Sequence, residues 1–73
     1  MTLITNSKIE DEFTGWNTNN VYTLANGQKW QQVRYRYKYK YRYRPKAQIL
    51  VDGTRHFLAV ECMDDPIQVR RVS

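Results

Sequence analysis

Residues 33–45 read Val-Arg-Tyr-Arg-Tyr-Lys-Tyr-Lys-Tyr-Arg-Tyr-Arg-Pro, and this stretch decides the fold class. Tyrosine occupies every odd position from 35 to 43, and Arg or Lys occupies every even position from 34 to 44. Because side chains alternate between the two faces of a β-strand, the pattern predicts a strand with one aromatic and one cationic face. We call residues 34–44 the ribbon. Fully extended, it would span roughly 36 Å, so it must bend sharply, split across two sheets or project beyond the domain.

The sequence on both sides of the ribbon predicts an all-β protein. Turn signals recur at short spacing, and no sustained apolar pattern with a helical period is present. The pairs Asn26-Gly27 and Asp52-Gly53 are typical of type I′ hairpin turns. Pro45 ends the ribbon, because proline donates no ladder hydrogen bond. We therefore expect a small SH3-like or OB-like antiparallel barrel or meander with one long Tyr-rich strand. We expect five or six strands, and the candidate ranges are Ile9 to Phe13, Val21 to Ala25, Gln28 to Arg44, Ala47 to Val51, His56 to Glu61 and Ile67 to Val72.

The second hairpin predicts part of the core. A two-residue loop at Asp52-Gly53 would place Ile49 opposite His56 and would give one apolar face across both strands. A conflict of alternation arises earlier in the chain, because strict alternation puts Trp30 on the cationic face of the ribbon. If Trp30 belongs to the core, either a β-bulge separates it from Tyr35 or the tyrosines are not on the core face. The predicted apolar face consists of Ala47, Ile49, Val51, Leu58 and Val60.

Length and charge bound the class of protein. The 73 residues predict one small domain over 9–73, preceded by a flexible segment over 1–8. The net charge is +5, with eight cations and no acidic residue between Lys29 and Lys46. The remainder carries 12 − 8 = 4 basic against 7 acidic residues, a balance of −3. No apolar run approaches the roughly 20 residues needed to cross a bilayer, and the single Cys62 suits a reducing compartment. These features predict a soluble, cytoplasmic protein.

The ribbon supports three interpretations. Five tyrosines exceed what so small a core can hold, so one interpretation is an interface with another copy or with a protein or peptide partner. A second is nucleic-acid binding, in which cations follow phosphates while aromatic rings stack on bases. A third is that the charges only keep an edge strand soluble. The expected interface residues are Tyr35, Tyr37, Tyr39, Tyr41 and Tyr43. The nucleic-acid alternative uses Arg34, Arg36, Lys38, Lys40, Arg42, Arg44 and Trp16.

The sequence offers no catalytic, metal or cofactor site. His56 and Cys62 are each the only residue of their type, and two candidate ligands do not make a zinc site. The acidic clusters 10–12 and 64–65 are interpreted as solvated turns or as ion partners of the ribbon. No P-loop, dinucleotide fingerprint or nucleophile elbow is present. We therefore expect a non-catalytic binding or assembly module that forms a homo-oligomer and needs no cofactor.

Three motifs together resemble a known group of proteins. They are Phe13-x-Gly15-Trp16, the run from Leu24 to Gln32 that contains Asn26-Gly27-Gln28-x-Trp30-Gln31-Gln32, and the tyrosine alternation that ends in Tyr43-Arg44-Pro45-Lys46. The chain resembles, over residues 9–72, small bacterial proteins of the SH3-like barrel type, some of them encoded on integron gene cassettes. The resemblance implies a fold, a bacterial origin and a structural core with a self-association or peptide-binding surface. It implies no activity, substrate or catalytic residue.

Overall fold

The computed structural model of the chain describes residues 2–73 and contains β-strands but no helix in that range. The all-β prediction is therefore confirmed. The strands number eight rather than five or six. They are β1 (Thr2–Lys8), β2 (Glu12–Trp16), β3 (Val21–Thr23), β4 (Lys29–Gln32), β5 (Lys38–Tyr43), β6 (Lys46–Asp52), β7 (Arg55–Val60) and β8 (Ile67–Arg71).

The strands form two antiparallel sheets. The main sheet has the order β1-β6-β7-β8-β4-β3, and the small sheet pairs β2 with β5. The main sheet curves so far that the ends of its two edge strands meet at a single bridge between Ile9 and Leu24. Two backbone hydrogen bonds flank this bridge, from Glu10 N to Thr23 O (2.9 Å) and from Ala25 N to Lys8 O (2.8 Å). Because β1 and β3 join only there in the part of the chain that the structure describes, the main sheet is not a closed barrel.

One hydrophobic core lies inside the curve of the main sheet, and β2 covers it. Along β6 and β7, alternate residues point inward, as the pattern of a half-buried strand predicts. The predicted apolar face is confirmed, with Val51 half-buried at its end. Edge-to-face packing of Phe13 on Trp16, with ring centroids 5.4 Å apart, fills the side under β2. The buried apolar residues are Ile9, Phe13, Trp16, Tyr22, Leu24, Trp30, Ala47, Ile49, Leu58, Val60, Ile67 and Val69.

The β6–β7 hairpin has the predicted faces but a different register. Ile49 lies opposite Leu58, and His56 lies opposite Val51, so the predicted Ile49–His56 pair is wrong. The cause is the turn, which contains residues 53–54 rather than 52–53. The pairing shifts by two residues in total, and a shift by an even number keeps every side chain on its face.

The β3–β4 hairpin is confirmed near Asn26-Gly27, with a different type of turn. Gly27 N donates to Leu24 O (3.0 Å), and Leu24 N donates to Gln28 O (2.8 Å). Gly27 has a φ of 94°, whereas a positive φ is not found at Asn26. A type I′ turn needs a positive φ at both central residues, so this connection is instead a three-residue loop that ends in a left-handed glycine.

The N-terminal segment was predicted incorrectly. Residues 2–8 are not a flexible extension but form β1, which pairs along β6 from Thr2 opposite Val51 to Lys8 opposite Lys46. Residue 1 of the predicted segment lies outside the described residues. The reason for the error is that the free edge of β6 supplies the pairing, which the composition of 2–8 does not reveal.

The predicted strand from Ile9 to Phe13 is displaced in the structure. Ile9 makes only the isolated bridge, residues 10–11 bend, and the strand β2 runs from Glu12 to Trp16. Gly15 and Trp16, which lie outside the predicted strands, therefore belong to a strand in the structure. The loop that follows β2 contains Asn19, whose φ of 63° is the conformation that asparagine tolerates.

The long strand predicted from Gln28 to Arg44 splits across two sheets, one of the three outcomes that its length required. Its first part is β4 in the main sheet, and its last part is β5 in the small sheet. Residues 33–37 between them form no strand, and we call them the crossover. Trp30 is buried whereas the tyrosines of the ribbon are exposed, so the tyrosines are not on the core face. The crossover thus resolves the conflict of alternation.

Candidate functional site

The candidate site is the ribbon, and its central part, β5, is exposed on both faces. Every residue of β5 is exposed, although its partner β2 contributes Phe13 and Trp16 to the core. Among residues 2–73 no strand other than β2 pairs with β5, so one edge of β5 keeps unpaired backbone groups. The five ribbon tyrosines are 50% to 83% exposed. So much exposed aromatic surface is typical of a binding surface.

The register of the small sheet assigns the two faces of β5. Residues that stand opposite each other in an antiparallel pair project to the same face. Arg42 lies opposite Phe13, and Lys38 lies opposite Trp16. The cationic row is therefore on the face of the small sheet that Phe13 and Trp16 share, but the cations themselves are exposed and lie outside the core. Tyr43 lies opposite Glu12, so the tyrosine row is on the outer side. The predicted separation into an aromatic and a cationic face is therefore present in β5.

Glu12 influences the outer face. Desolvation of the phenol, the negative charge of Glu12 and a hydrogen bond to its carboxylate raise the pKa of Tyr41 above its usual value of 10.0. Neighbouring Tyr39 and Tyr43 act in the same direction. The Tyr41 phenol therefore has a higher pKa than an ordinary tyrosine and stays protonated to a higher pH.

A buried glutamine holds the crossover. Gln32, the last residue of β4, is 1% exposed. Its Nε2 donates to Arg34 O (2.8 Å) and to Arg36 O (3.1 Å). Its Oε1 accepts from Tyr22 Oη (2.8 Å) and from Asn17 N (3.2 Å). One side chain therefore ties the main sheet, the loop after β2 and the crossover together, and it fixes the position at which the chain leaves for β5.

The hydroxyl of Tyr22 connects this network to β2. It lies 3.2 Å from Gly15 O as well as 2.8 Å from Gln32 Oε1, so its one hydrogen has two acceptors within reach. Burial raises the pKa of Tyr22, and side-chain and backbone hydrogen bonds at Asn20 and Asn17 oppose that rise. The Tyr22 ring also packs edge-to-face on Trp16, with centroids 5.6 Å apart. The aromatic core and the polar network thus share one residue.

Gly15 lets β5 approach β2. A Cβ atom at this position would lie 1.9 Å from Lys38 O and 2.8 Å from Lys40 N, both backbone atoms. Gly15 also has a φ of 103°, a conformation that other residues rarely adopt. The small sheet has a register shift beside it, between Phe13 and Gly15. Glycine is therefore required here for β5 to dock.

The acidic cluster 64–65 pairs with the start of the ribbon, as expected of an ion partner. Lys38 Nζ lies 3.3 Å from Asp64 Oδ2, and Arg36 Nη1 lies 3.9 Å from Asp65 Oδ2. Both pairs are exposed, and such pairs contribute little to stability. Within residues 2–73, salt bridges are not found at the later cations Lys40, Arg42 and Arg44. Within the described residues, Arg34 and the second half of the cationic row are therefore not compensated by a salt bridge.

Three sequence-predicted residues lie away from the ribbon surface. Trp16 is 2% exposed, so its proposed stacking on a base is wrong, because its ring is packed in the core. His56 is half-buried with its ring 5.3 Å from that of Trp30. Cys62 is a free thiol that packs at the edge of the core. Among the residues that the structure describes, no group of His, Cys, Asp and Glu could hold a metal ion.

Two shallow cavities accompany the site. One, of about 290 Å³, lies between β2 and β3 and is lined by Glu10, Asp11 and Glu12 as well as by Val21 and Thr23. The other, of about 330 Å³, lies over β1, β6 and β7 beside Lys46 and Glu61. Neither contains the ribbon tyrosines, so the candidate site is an open surface rather than a pocket.

Sequence reasoning found the ribbon but missed the residues that position it. In the sequence, Gln32 looks like one more polar residue beside Gln31. It can be recognised as inward-facing only because it lies two residues after Trp30 in β4, and such residues share a face of the strand. An inward-facing glutamine next to a break in alternation is a signal that could have been used.

No part of residues 2–73 forms a helix that could cross a membrane. Neither a protein-family model nor a curated protein nor a solved structure matches the chain.

Proposed function

We propose that the protein is a non-catalytic binding and assembly module that self-associates through the ribbon. The observation that carries this proposal is that, among residues 2–73, β5 is hydrogen-bonded along one edge only and is exposed on both faces. A free edge can take up another strand through main-chain hydrogen bonds. Tyrosine is enriched at the centres of interfaces, because it buries a large area at a low cost in side-chain entropy.

The simplest assembly pairs β5 of one copy with β5 of a second copy. Antiparallel pairing about a twofold axis would extend the small sheet to the order β2-β5-β5-β2. Such a closed, self-complementary contact is the commonest form of protein assembly. The tyrosines of β5, Tyr39, Tyr41 and Tyr43, would then meet their counterparts on one face of the joined sheet.

Sedimentation equilibrium of the full chain at tens of micromolar tests this proposal. We expect a species heavier than the 8.8 kDa chain. Tyr41→Ala should weaken the association by at least tenfold if Tyr41 lies near the centre of the interface. Tyr35→Ala is the control, because Tyr35 is an exposed ribbon tyrosine that lies in the crossover, outside the β5–β5 pair. A strict monomer at every concentration would contradict the proposal.

Nucleic-acid binding is the second candidate, and the geometry of the crossover favours it. In a β-strand the cations and the tyrosines would point to opposite faces. Residues 34–37 form no strand, so their side chains do not have to alternate in this way. Arg34 and Arg36 can therefore contact the phosphates of a nucleic-acid strand while Tyr35 and Tyr37 contact the bases of the same strand. The later cations add charge without an acidic partner.

Fluorescence anisotropy with labelled single-stranded DNA at several salt concentrations tests this candidate. Two of the six ribbon cations are in salt bridges. With the other four cations on phosphates, the log-log salt slope for a single strand should be about −3, at about 0.7 for each phosphate contact. Lys40→Gln should lower the affinity, whereas Arg55→Gln, a charge change on β7, should not. An affinity that Lys40→Gln leaves unchanged would argue against the ribbon as the binding surface.

We also propose that the chain belongs with the small SH3-like barrel proteins that it resembles and that it works in a reducing, cytoplasmic compartment. The meeting of β1 and β3 at the Ile9–Leu24 bridge supports a barrel-like architecture. The free thiol of Cys62 supports the compartment. Protected amides at Glu10 and Ala25 in hydrogen exchange would support the first point, and their rapid exchange would contradict it.

A further inference from the structure

We infer that pairing of two β5 strands builds one anion-binding strip from both copies, so that single-stranded nucleic acid and self-association strengthen each other. The inference rests on the proposed self-association through β5. It connects self-association with nucleic-acid binding, because one copy supplies only one of the two cationic rows that form the strip. It follows from the faces of β5, from the charges on them and from the spacing of paired strands.

The first step is the symmetry of the pair. A twofold axis that relates two antiparallel neighbours in one sheet stands perpendicular to that sheet, so each face of one copy continues into the same face of the other. Whatever the register, the cationic row then lies beside the cationic row and the tyrosines beside the tyrosines. The cationic face of the pair contains Lys38, Lys40 and Arg42 from each copy, and the other face contains both sets of tyrosines.

The second step is the repulsion between these rows. Paired strands lie about 4.8 Å apart, and like charges that stand opposite each other in a sheet are destabilising. Lys38 is partly compensated by Asp64, but Lys40 and Arg42 are in no salt bridge within the described residues. Glu12 is on the tyrosine side and gives no compensation there. Pairing without a counterion is therefore opposed by its own charge.

The third step is the ligand that removes this repulsion. Two rows of cations about 4.8 Å apart form a strip only as wide as one extended chain. The phosphodiester backbone of a single nucleic-acid strand carries the complementary charge in a single line, whereas a duplex presents two backbones across grooves of about 6 and 12 Å. Since such a strand contacts both copies at once, it binds the pair more tightly than the monomer. By linkage, it must then promote pairing by the same factor.

Sedimentation velocity of the full chain, with and without a twelve-nucleotide oligothymidylate, tests the inference. Without the oligonucleotide, we expect the association constant to rise about tenfold between 50 and 500 mM NaCl, because salt screens the facing cations. At 50 mM NaCl, the oligonucleotide should strengthen association by a similar factor. Lys40→Gln should associate more strongly than the unchanged protein at low salt and respond less to the oligonucleotide. Arg55→Gln, the control, should behave as the unchanged protein does.

The outcomes separate the inference from the proposed function. A chain that associates equally at both salt concentrations and ignores the oligonucleotide would overturn the inference and leave the assembly intact. A strict monomer under all conditions would overturn both. Two chains could also bind one oligonucleotide side by side without pairing. Tyr41→Ala distinguishes this case, because it should weaken the oligonucleotide-bound pair built through β5 by at least tenfold, and an oligonucleotide-bound pair of unchanged strength would overturn the inference.

Discussion

Replacement of Gln32 by methionine is expected to destabilise the protein and to release the crossover. Methionine fills nearly the same volume and keeps an unbranched side chain, so the change removes hydrogen bonds with little change of packing. The amide makes four hydrogen bonds, two as donor to the carbonyls of Arg34 and Arg36 and two as acceptor from Tyr22 and Asn17. All of them are lost in Gln32→Met.

The expected loss of stability follows from this count. Each hydrogen bond contributes about 1 kcal/mol net, which gives about 4 kcal/mol for the set. The Tyr22 hydroxyl keeps Gly15 O as an acceptor at 3.2 Å, and burial of an apolar side chain offsets about 1 kcal/mol. We therefore expect a loss of about 2–3 kcal/mol. A chain of this length has a free energy of unfolding of about 4–11 kcal/mol in total, so the variant should fold but with a much lower midpoint.

Urea unfolding followed by tryptophan fluorescence measures this loss, because Trp16 and Trp30 are both buried. Gln48→Met is the control, since Gln48 is half-buried on the outer side of β6 and its replacement should change the free energy of unfolding by less than about 0.5 kcal/mol. If Gln32→Met were as stable as this control, the buried network would not hold the crossover, and the split between β4 and β5 would need a different cause.

Three further predictions concern residues around the small sheet. Gly15→Ala should displace β5 from β2 and cost about 2–4 kcal/mol, because the added Cβ meets the backbone of Lys38 and the φ is positive; equal urea midpoints would contradict this. Tyr22→Phe should cost about 1–2 kcal/mol, and a double-mutant cycle with Gln32→Met should be non-additive, because both changes remove one shared bond. Glu12→Gln should lower the pKa of Tyr41 toward 10.0, which ultraviolet absorbance of the phenolate reports, and an unchanged titration would contradict an effect of Glu12 on Tyr41.

Burial of Tyr22 also gives a sign for the dependence of stability on pH. Its pKa is raised in the folded state, so the stabilising contribution is complete below the unfolded value of 10.0 and is lost as the pH rises through the higher folded value. Tyr22→Phe removes this contribution, and the difference in free energy of unfolding between the two proteins should therefore shrink at alkaline pH.

Local pattern was enough to predict the β6–β7 hairpin and its apolar face, because this hairpin combines turn residues with alternation of apolar side chains. Ile49 and Leu58 alternate with polar or half-buried neighbours, and the turn at Gly53 separates them at hairpin spacing. The register was wrong by two residues because the sequence does not say which side of Asp52 the turn begins. The apolar face survived this error, since side-chain faces depend only on whether a shift is odd or even.

Two elements depended on distant partners and could not be predicted from local pattern. The strand β1 forms because β6 has a free edge, and its residues carry no alternation of their own. The end of β4 depends on Gln32, whose amide captures two carbonyls that come later in the chain. The sequence contained the resulting conflict between Trp30 and the tyrosines. It did not contain the contacts that resolve it.

The one-sided pairing of β5 has a dynamic consequence. A strand that is held along one edge and buries none of its own side chains can open without exposing the core, so β5 should exchange its amide hydrogens before the strands that carry the core. The Gln32 anchor should confine this opening to residues 38–43, because its bonds to the carbonyls of Arg34 and Arg36 can stay in place. The binding surface of this molecule thus contains its most easily opened strand, and whatever docks on the free edge would slow the hydrogen exchange of β5 more than that of any other strand.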